Sequence, residues 1–230
     1  MLVKHYMSRN VVTIDADDSM QHAISLMKEH NISMLPVLKK GELVGIVSDG
    51  DLKRASASDA TTLDVHEILY LISKIKIKDI MTKTPVTVHP DCTTEETAQI
   101  LVEKKISGVP VVDSADNIVG IITRDDLFNL LISMSGLGKQ GIQFAFIVED
   151  RSGSIKELTD VIRKHDGRIA SILSSYERAP VGHRIVYIRT YDIPSNILPL
   201  LKEEMREKAT LLYVVDHRTN RREIYGDLPE

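Results

Sequence analysis

Gly45-Ile46-Val47-Ser48-Asp49-Gly50-Asp51-Leu52 returns seventy-five residues on as Gly120-Ile121-Ile122-Thr123-Arg124-Asp125-Asp126-Leu127. Each copy runs from a glycine through a short apolar segment to a hydroxyl residue, with a carboxylate three positions later. The apolar run reads as a buried strand. The hydroxyl–carboxylate spacing is that of a capping box, in which two side chains satisfy free backbone N–H groups at a helix start. The simplest role for Ser48 and Thr123 is therefore to cap the following helices, each cap contributing roughly 0.5–2 kcal/mol.

The duplication extends well beyond the caps. Met7 matches Met81, Val12-Thr13-Ile14 matches Val86-Thr87-Val88, and Asp17 matches Asp91. Ile32-Ser33 matches Ile106-Ser107, and Pro36-Val37 matches Pro110-Val111. The register is 74 until one extra residue in the turn at 114–117 makes it 75. Two copies are too few for a solenoid, so a closed pair is expected.

In the first copy, residues 11–14 and 35–38 read as strands, as do 43–47. Apolar Met20, Ala23, Ile24 and Met27 recur at helical spacing over 20–30, and a second helix leads out of Asp51. The unit is thus βαββα. Residues 55–62 are small and polar, a linker, and 63–73 carry Val65, Ile68, Leu69 and Ile72 on one helical face.

Gly136-Leu137-Gly138-Lys139-Gln140-Gly141 satisfies GxGxxG. In a dinucleotide site those glycines follow a strand and open a helix. Here they follow a helix and precede a strand, so the segment reads as a joint. Beyond it, Phe144, Phe146 and Val148 alternate with Ala145 and Ile147 as in a strand. A helix with Ile155, Leu158 and Ile162 inward follows. Strands at 168–176 and 184–191, a helix carrying Ile197, Leu201 and Met205, and a last strand at 210–215 complete βαββαβ. That is the ferredoxin-like split arrangement. The fold class is α+β, organised as a pair over 1–134 (units 3–56 and 77–134, linker 57–76), a joint at 135–142, a domain at 143–217 and a tail at 218–230. The polar tail is expected to be ordered only if something holds it.

The chain has 230 residues, 43% of them apolar and 27% charged, with net charge −4. That balance gives no electrostatic footprint for nucleic acid. One cysteine excludes an internal disulfide and fits a reducing compartment. The start, Met1-Leu2-Val3-Lys4-His5-Tyr6-Met7, has no signal-like apolar region, and no apolar run approaches spanning length. The expectation is a cytoplasmic protein that uses no membrane. The eight histidines stand apart with no metal-ligand spacing, so no metal is expected. Cys92 reads as a bystander thiol rather than a nucleophile, and Asp15, Asp17 and Asp18 lack the glycine and distal glutamate of a calcium loop. Arg218, Arg221 and Arg222 read as a solvated basic tail, and Glu95-Glu96 as a solvated first helical turn.

The repeated unit resembles the CBS motif, and its tandem pair a Bateman module. The residues that carry the resemblance are Met7 and Met81, Val12-Thr13 and Val86-Thr87, Ile32 to Val37 with Ile106 to Val111, and the two Gly-to-Leu stretches. The terminal βαββαβ, with its Asp150-Arg151-Ser152-Gly153-Ser154-Ile155 loop, is similar to an ACT domain, although Ser152 stands where a proline is usual. The order CBS–CBS–ACT resembles the AcuB-like acetoin-utilisation proteins. The resemblance implies a non-catalytic regulator, homodimeric, binding AMP, ADP, ATP or S-adenosylmethionine as an effector, with no required cofactor and acetoin or acetyl-CoA metabolism as its setting.

The residues suit that implication. Asp51 and Asp126 can accept from ribose hydroxyls, while Ser48 and Thr123 with nearby helix N–H groups can donate to phosphate. Backbone around Met34 and Pro36, and around Gly108, Val109 and Pro110, can flank a base, with Val12, Thr13, Val86 and Thr87 alongside. Arg124 offers a positive fork in the second copy where the first has Asp49. The Thr123–Asp126 site is therefore expected to take a phosphorylated adenosine, and the Ser48–Asp51 site a less anionic ligand or none. In the ACT-like part, Asp150, Gly153, Ser154 and Ile155 are candidates to hold a small effector such as an amino acid. The alternatives are that this domain only dimerises, or that the whole chain is a structural dimer whose clefts have lost their ligand.

Overall fold

In the computed structural model, which describes residues 1–57 and 72–228, the chain divides into two compact units, Met1–Phe128 and Asn129–Glu230. The helix expected over 63–73 lies largely outside the described residues.

In the first unit, β1 (Ile14–Asp15), α1 (Met20–Glu29), β2 (Met34–Lys39), β3 (Glu42–Ser48) and α2 (Asp49–Ala57) form the first βαββα copy. The second copy opens with a short helix α3 (Ile77–Ile80) and β4 (Thr82–Lys83), then α4 (Thr94–Glu103), β5 (Gly108–Val112), β6 (Ile118–Thr123) and α5 (Arg124–Met134). β1 lies parallel to β2, whereas β2–β3 and β3–β4 are antiparallel. The strand expected at Val86-Thr87-Val88 is reduced to one parallel bridge, Val88 to Val111.

The two copies exchange their leading segments. Val3 N–H donates to Cys92 O and Lys4 N–H to Pro90 O; one repeat later, Ile77 N–H donates to Asp18 O and Lys78 N–H to Ala16 O. Lys4 Nζ pairs with Asp91 and Lys78 Nζ with Asp17, both at 2.7 Å. Each lysine holds its carboxylate below the usual aspartate range. Ser8 bridges Ile121 as Thr82 bridges Ile46. Ile77 is buried in the core of the first copy with Met20, Leu35 and Val47, and Val3 in that of the second with Leu101, Val109 and Ile122. Neither copy has a complete core alone.

The duplicated Met and Gly find their reason here. A Cβ on Gly45 would lie 2.9 Å from Thr82 O and 3.1 Å from Met81 Cγ; on Gly120 it would lie 2.9 Å from Met7 Cγ and 3.1 Å from Ser8 O. Each methionine covers the other copy's glycine, so both glycines are required by close approach rather than by backbone conformation.

Helix starts are capped by side chains. Ser19 Oγ accepts from His22 N–H, and Thr93 and Glu96 close a capping box. Glu96 therefore has a defined role where a solvated turn was expected.

The second unit contains β7 (Ile142–Glu149), α6 (Ser154–Lys164), β8 (Arg168–Ser175), β9 (His183–Tyr191), α7 (Leu198–Arg206), β10 (Thr210–Asp216) and β11 (Arg221–Ile224). The sheet is antiparallel with order β11-β10-β7-β9-β8. Leu158 and Ile162 of α6 and Leu201 and Met205 of α7 bury against Phe144, Phe146, Val186 and Ile188, so both helices cover one face. That is the expected ferredoxin-like arrangement with an added edge strand. The GxGxxG segment forms a 3-10 turn, Leu137–Lys139, before β7. Ser135 O accepts from Ser171 Oγ and from the buried Arg189 Nε, both at 2.7 Å, tying the end of α5 to this sheet. The unit boundary accordingly falls inside α5.

The tail is held. Asp216, buried, accepts from Arg218 Nε at 2.9 Å and Nη2 at 2.8 Å, and Arg218 also donates to Ile193 O. Beyond it β11 pairs with β10. Arg218, though exposed, is thus tied to Asp216 and Ile193 and does not hang free in the tail.

Two outcomes follow from this packing. Gly120→Ala should destabilise the first unit by about 1–3 kcal/mol through overpacking, and adding Met7→Ala should recover part of that loss, read by urea denaturation as a coupling energy. The hydrogen bonds from Arg218 depress the Asp216 carboxyl below its ordinary 3.8. Its stabilisation is therefore complete above that value and lost as pH falls through the depressed one. Asp216→Asn should lower the unfolding temperature at pH 7 and flatten its acid limb below pH 3.8.

Candidate functional site

β3 ends at Ser48 and β6 at Thr123, and α2 and α5 begin at the next residue. Both predicted capping boxes form. Ser48 N–H and Oγ donate to Asp51 Oδ2 at 2.8 and 2.6 Å, and Asp51 N–H returns to Ser48 Oγ at 3.3 Å. Thr123 N–H and Oγ1 donate to Asp126 Oδ2 at 2.8 and 2.7 Å, with the return bond again at 3.3 Å. The structural role is therefore present in both copies.

The second oxygen separates them. Asp51 Oδ1 is taken by Arg54. Asp126 Oδ1 accepts no hydrogen bond among the described residues, and Asp126 with Thr123 lines a cavity of about 470 Å³. Val12 and Met34, both predicted, line it too. Met34 arrives from the first copy: its Sδ and Cε lie 2.9 Å from where Gly108 would carry a Cβ, and Gly108 pairs with Thr123. A side chain at 108 would displace this wall.

Other predicted residues stand elsewhere. Thr87 lines a separate cavity of about 480 Å³ among the hairpin turns, with Gly41, Glu42 and Asp116. Pro36 and Pro110 are buried strand positions opposite Ile46 and Ile121, and Val109 is buried in the second core. Val86 is exposed and Thr13 half-buried just before β1.

Arg124 is placed differently from the expectation. Its Nε donates to Ile106 O at 3.0 Å, and it is not a wall of the Thr123–Asp126 cavity, which receives Asp125 instead. Its counterpart Asp49 lies in an outer groove with Ile24, Met27 and Lys53. The residue after the hydroxyl opens the helix rather than continuing the strand, and spacing along the chain does not resolve which way a helical side chain faces when each is turned by about 100° from the last. The phosphate fork expected at this site is therefore withdrawn.

The cavity also gathers residues the sequence reading passed over. Ser8, Asn10 and Asn31 supply neutral hydrogen-bonding groups, and Ser33, Ile32 and Ile121 complete much of the wall. A signal was available: Ile32-Ser33 is itself duplicated. Asn31 carries φ 51° and its counterpart Lys105 φ 55°, the left-handed turn that ends a helix.

In the second unit the loop before α6 is tightly tied. Arg151 reaches Glu157 through two bonds at 2.8 and 2.9 Å, and Asp150 accepts from Tyr176 Oη at 3.3 Å. Gly153 caps α6 at φ +89°, a conformation that favours glycine. Ser154 is buried, donates to Arg151 O and lines a cavity of about 380 Å³ with Arg151, His183 and Lys208. Of the four loop candidates only Ser154 reaches this cavity; Asp150, Gly153 and Ile155 do not. Ile155 packs against the core instead.

Two facing βαββα copies with exchanged leading segments, and a strand-to-helix hydroxyl–carboxylate pair at a cleft, define a tandem CBS pair. The CBS domain family matches residues 3–58 and 77–133, and the chain belongs to it. An uncharacterised protein of Methanocaldococcus jannaschii, MJ1426, is 31% identical over 57% of this chain and 92% of its own length. Inosine-5′-monophosphate dehydrogenase of Korarchaeum cryptofilum is 36% identical over 54% of this chain, which spans only 23% of that enzyme. Among solved structures, the CBS domain pair of protein MJ0100 in complex with 5′-methylthioadenosine and S-adenosyl-L-methionine is 32% identical, with TM-score 0.50, covering 57% of this chain and 95% of that one. A putative acetoin utilization protein (AcuB) from Vibrio cholerae is 27% identical, with TM-score 0.50, covering 60% and 95%. No described helix is long and apolar enough to cross a membrane, and no described group of His, Cys, Asp and Glu could hold a metal ion.

Thr123→Val removes the hydroxyl that both donates to and accepts from Asp126. It should cost about 0.5–2 kcal/mol of stability, read by urea unfolding.

Proposed function

We propose that this protein is a non-catalytic regulator whose CBS pair binds an adenosine-type effector in the Thr123–Asp126 cavity. The observation that carries the reading is the divided carboxylate: Asp126 Oδ2 closes the cap while Oδ1 meets no partner among the described residues, beside a cavity of about 470 Å³. A carboxylate held rigidly by its own cap can accept from vicinal ribose hydroxyls without reorganising. Ser8, Asn10, Asn31 and Ser33 can read a base edge or a 5′ group, and Met34 offers an apolar wall. The similarity to the MJ0100 pair, which holds two adenosine compounds, supports this ligand class.

Regulation would arise because ligand favours one arrangement of the two copies over another. Their leading segments are exchanged, so a ligand touching both copies acts on a shared element. The ferredoxin-like unit is read as an ACT-type module serving dimerisation or a small effector at its Ser154 cavity. The likeness to the AcuB structure is what favours a setting in acetoin utilisation. A second reading, a vestigial cleft, is favoured only in the first copy, where Arg54 occupies the remaining oxygen of Asp51.

A thermal-shift panel of AMP, ADP, ATP, 5′-methylthioadenosine and S-adenosylmethionine tests the reading. A binder at a hundred times its dissociation constant stabilises by about 2.7 kcal/mol. Asp126→Asn keeps an oxygen for the cap, so stability should change by less than about 0.5 kcal/mol, while affinity should fall tenfold or more, about 1.5–3 kcal/mol for a charge-assisted bond. A flat response across the panel would overturn the proposal.

A further inference from the structure

Charge sorts the two clefts in a way the hydroxyl–carboxylate pairs do not. Among the described residues, the Thr123–Asp126 cavity is walled by two carboxylates, Asp125 and Asp126, and by no lysine, arginine or histidine. Asp125 is exposed and has no hydrogen bond or ion pair among the described residues. Arg124, the nearest cation in sequence, is tied to Ile106 O outside the cavity walls.

The repeat register shows how far the first copy departs from this. Gly50 stands where the second copy has Asp125, and Lys105 stands where the first has Asn31. Arg54, which neutralises Asp51, corresponds to Asn129. Strand pairing relates the positions in the same way, with Thr82 against Ile46 as Ser8 is against Ile121. One set of positions thus carries two negative charges and no positive one; the other carries one negative charge and two positive.

We propose that the Thr123–Asp126 cavity takes a nucleoside whose 5′ substituent is neutral or cationic, a thioether or a sulfonium, and turns away 5′-phosphorylated nucleosides. This rests on the adenosine reading above and reverses the polarity that Arg124 suggested from sequence. A phosphate dianion brought into this cavity meets two carboxylates with no cation among the described wall residues to screen them, while a sulfonium is attracted by both. Any phosphate affinity of the chain belongs to the positions around Lys105 and Arg54.

The experiment is calorimetry on the full chain with 5′-methylthioadenosine, S-adenosylmethionine, AMP and ATP, in wild type and in Asp125→Asn, Asp126→Asn and Lys105→Gln. Asp126→Asn should abolish or strongly weaken binding of the thioether and sulfonium compounds. Asp125→Asn, at an exposed and unpartnered residue, should weaken S-adenosylmethionine and strengthen AMP at this cavity, each by about threefold to tenfold at low salt. It should leave the uncharged thioether nearly unchanged. Lys105→Gln should affect only phosphorylated ligands. Equal displacement of the sulfonium by ATP in wild type, with a ratio that Asp125→Asn does not move, overturns the charge proposal and leaves the adenosine reading standing. Absence of binding by all four compounds overturns both.

Discussion

The first unit depends on a reciprocal exchange: each copy lends its leading segment to the other. Val3 completes the second core and Ile77 the first, through backbone bonds repeated one register apart. A βαββα unit of under sixty residues buries too little apolar surface to be securely stable alone. Exchange solves this by making each core from both halves, so the copies fold as one body. The methionine–glycine contacts set how closely the strands approach, since any side chain at 45 or 120 would meet backbone as well as sulfur.

That closeness is what brings residues of the first copy to the carboxylate of the second. Ser8 bonds to Ile121 in both directions, at 2.9 and 3.0 Å, and so delivers Asn10, Val11 and Val12 to the cavity. Met34 crosses over Gly108 to form another wall. The cleft is therefore a consequence of the clasp, and stability and ligand site share the same contacts. The cap does not compete with a ligand at Asp126, because it uses one oxygen and fixes the other.

The copies have diverged where the site is, not where the fold is. Lys4 and Lys78, Asp17 and Asp91, Gly45 and Gly120 keep their partners on both sides. Asn31 and Lys105, Gly50 and Asp125, Met34 and Gly108 differ in charge or volume. Contacts that hold two cores together constrain both copies equally, whereas each cleft is free to follow its own ligand. The ferredoxin-like unit has a different logic, a sheet covered by two helices and extended at its edge by β11, with Arg218 locking the turn through Asp216.

By itself, the sequence determined the duplication, the βαββα order, both capping boxes and the βαββαβ pattern of the last third, because these rest on spacing and periodicity along the chain. It also placed Thr123, Asp126, Val12 and Met34 in the candidate site. Only the tertiary structure decided which copy's residues face which carboxylate, since the exchanged segments join positions far apart along the chain. It likewise decided that Asp125 rather than Arg124 enters the cavity, that Arg54 engages Asp51, and that the tail folds back as a strand. Those outcomes turn on the direction of a side chain at a helix start and on long-range pairing, and neither leaves a periodic trace in the residues themselves.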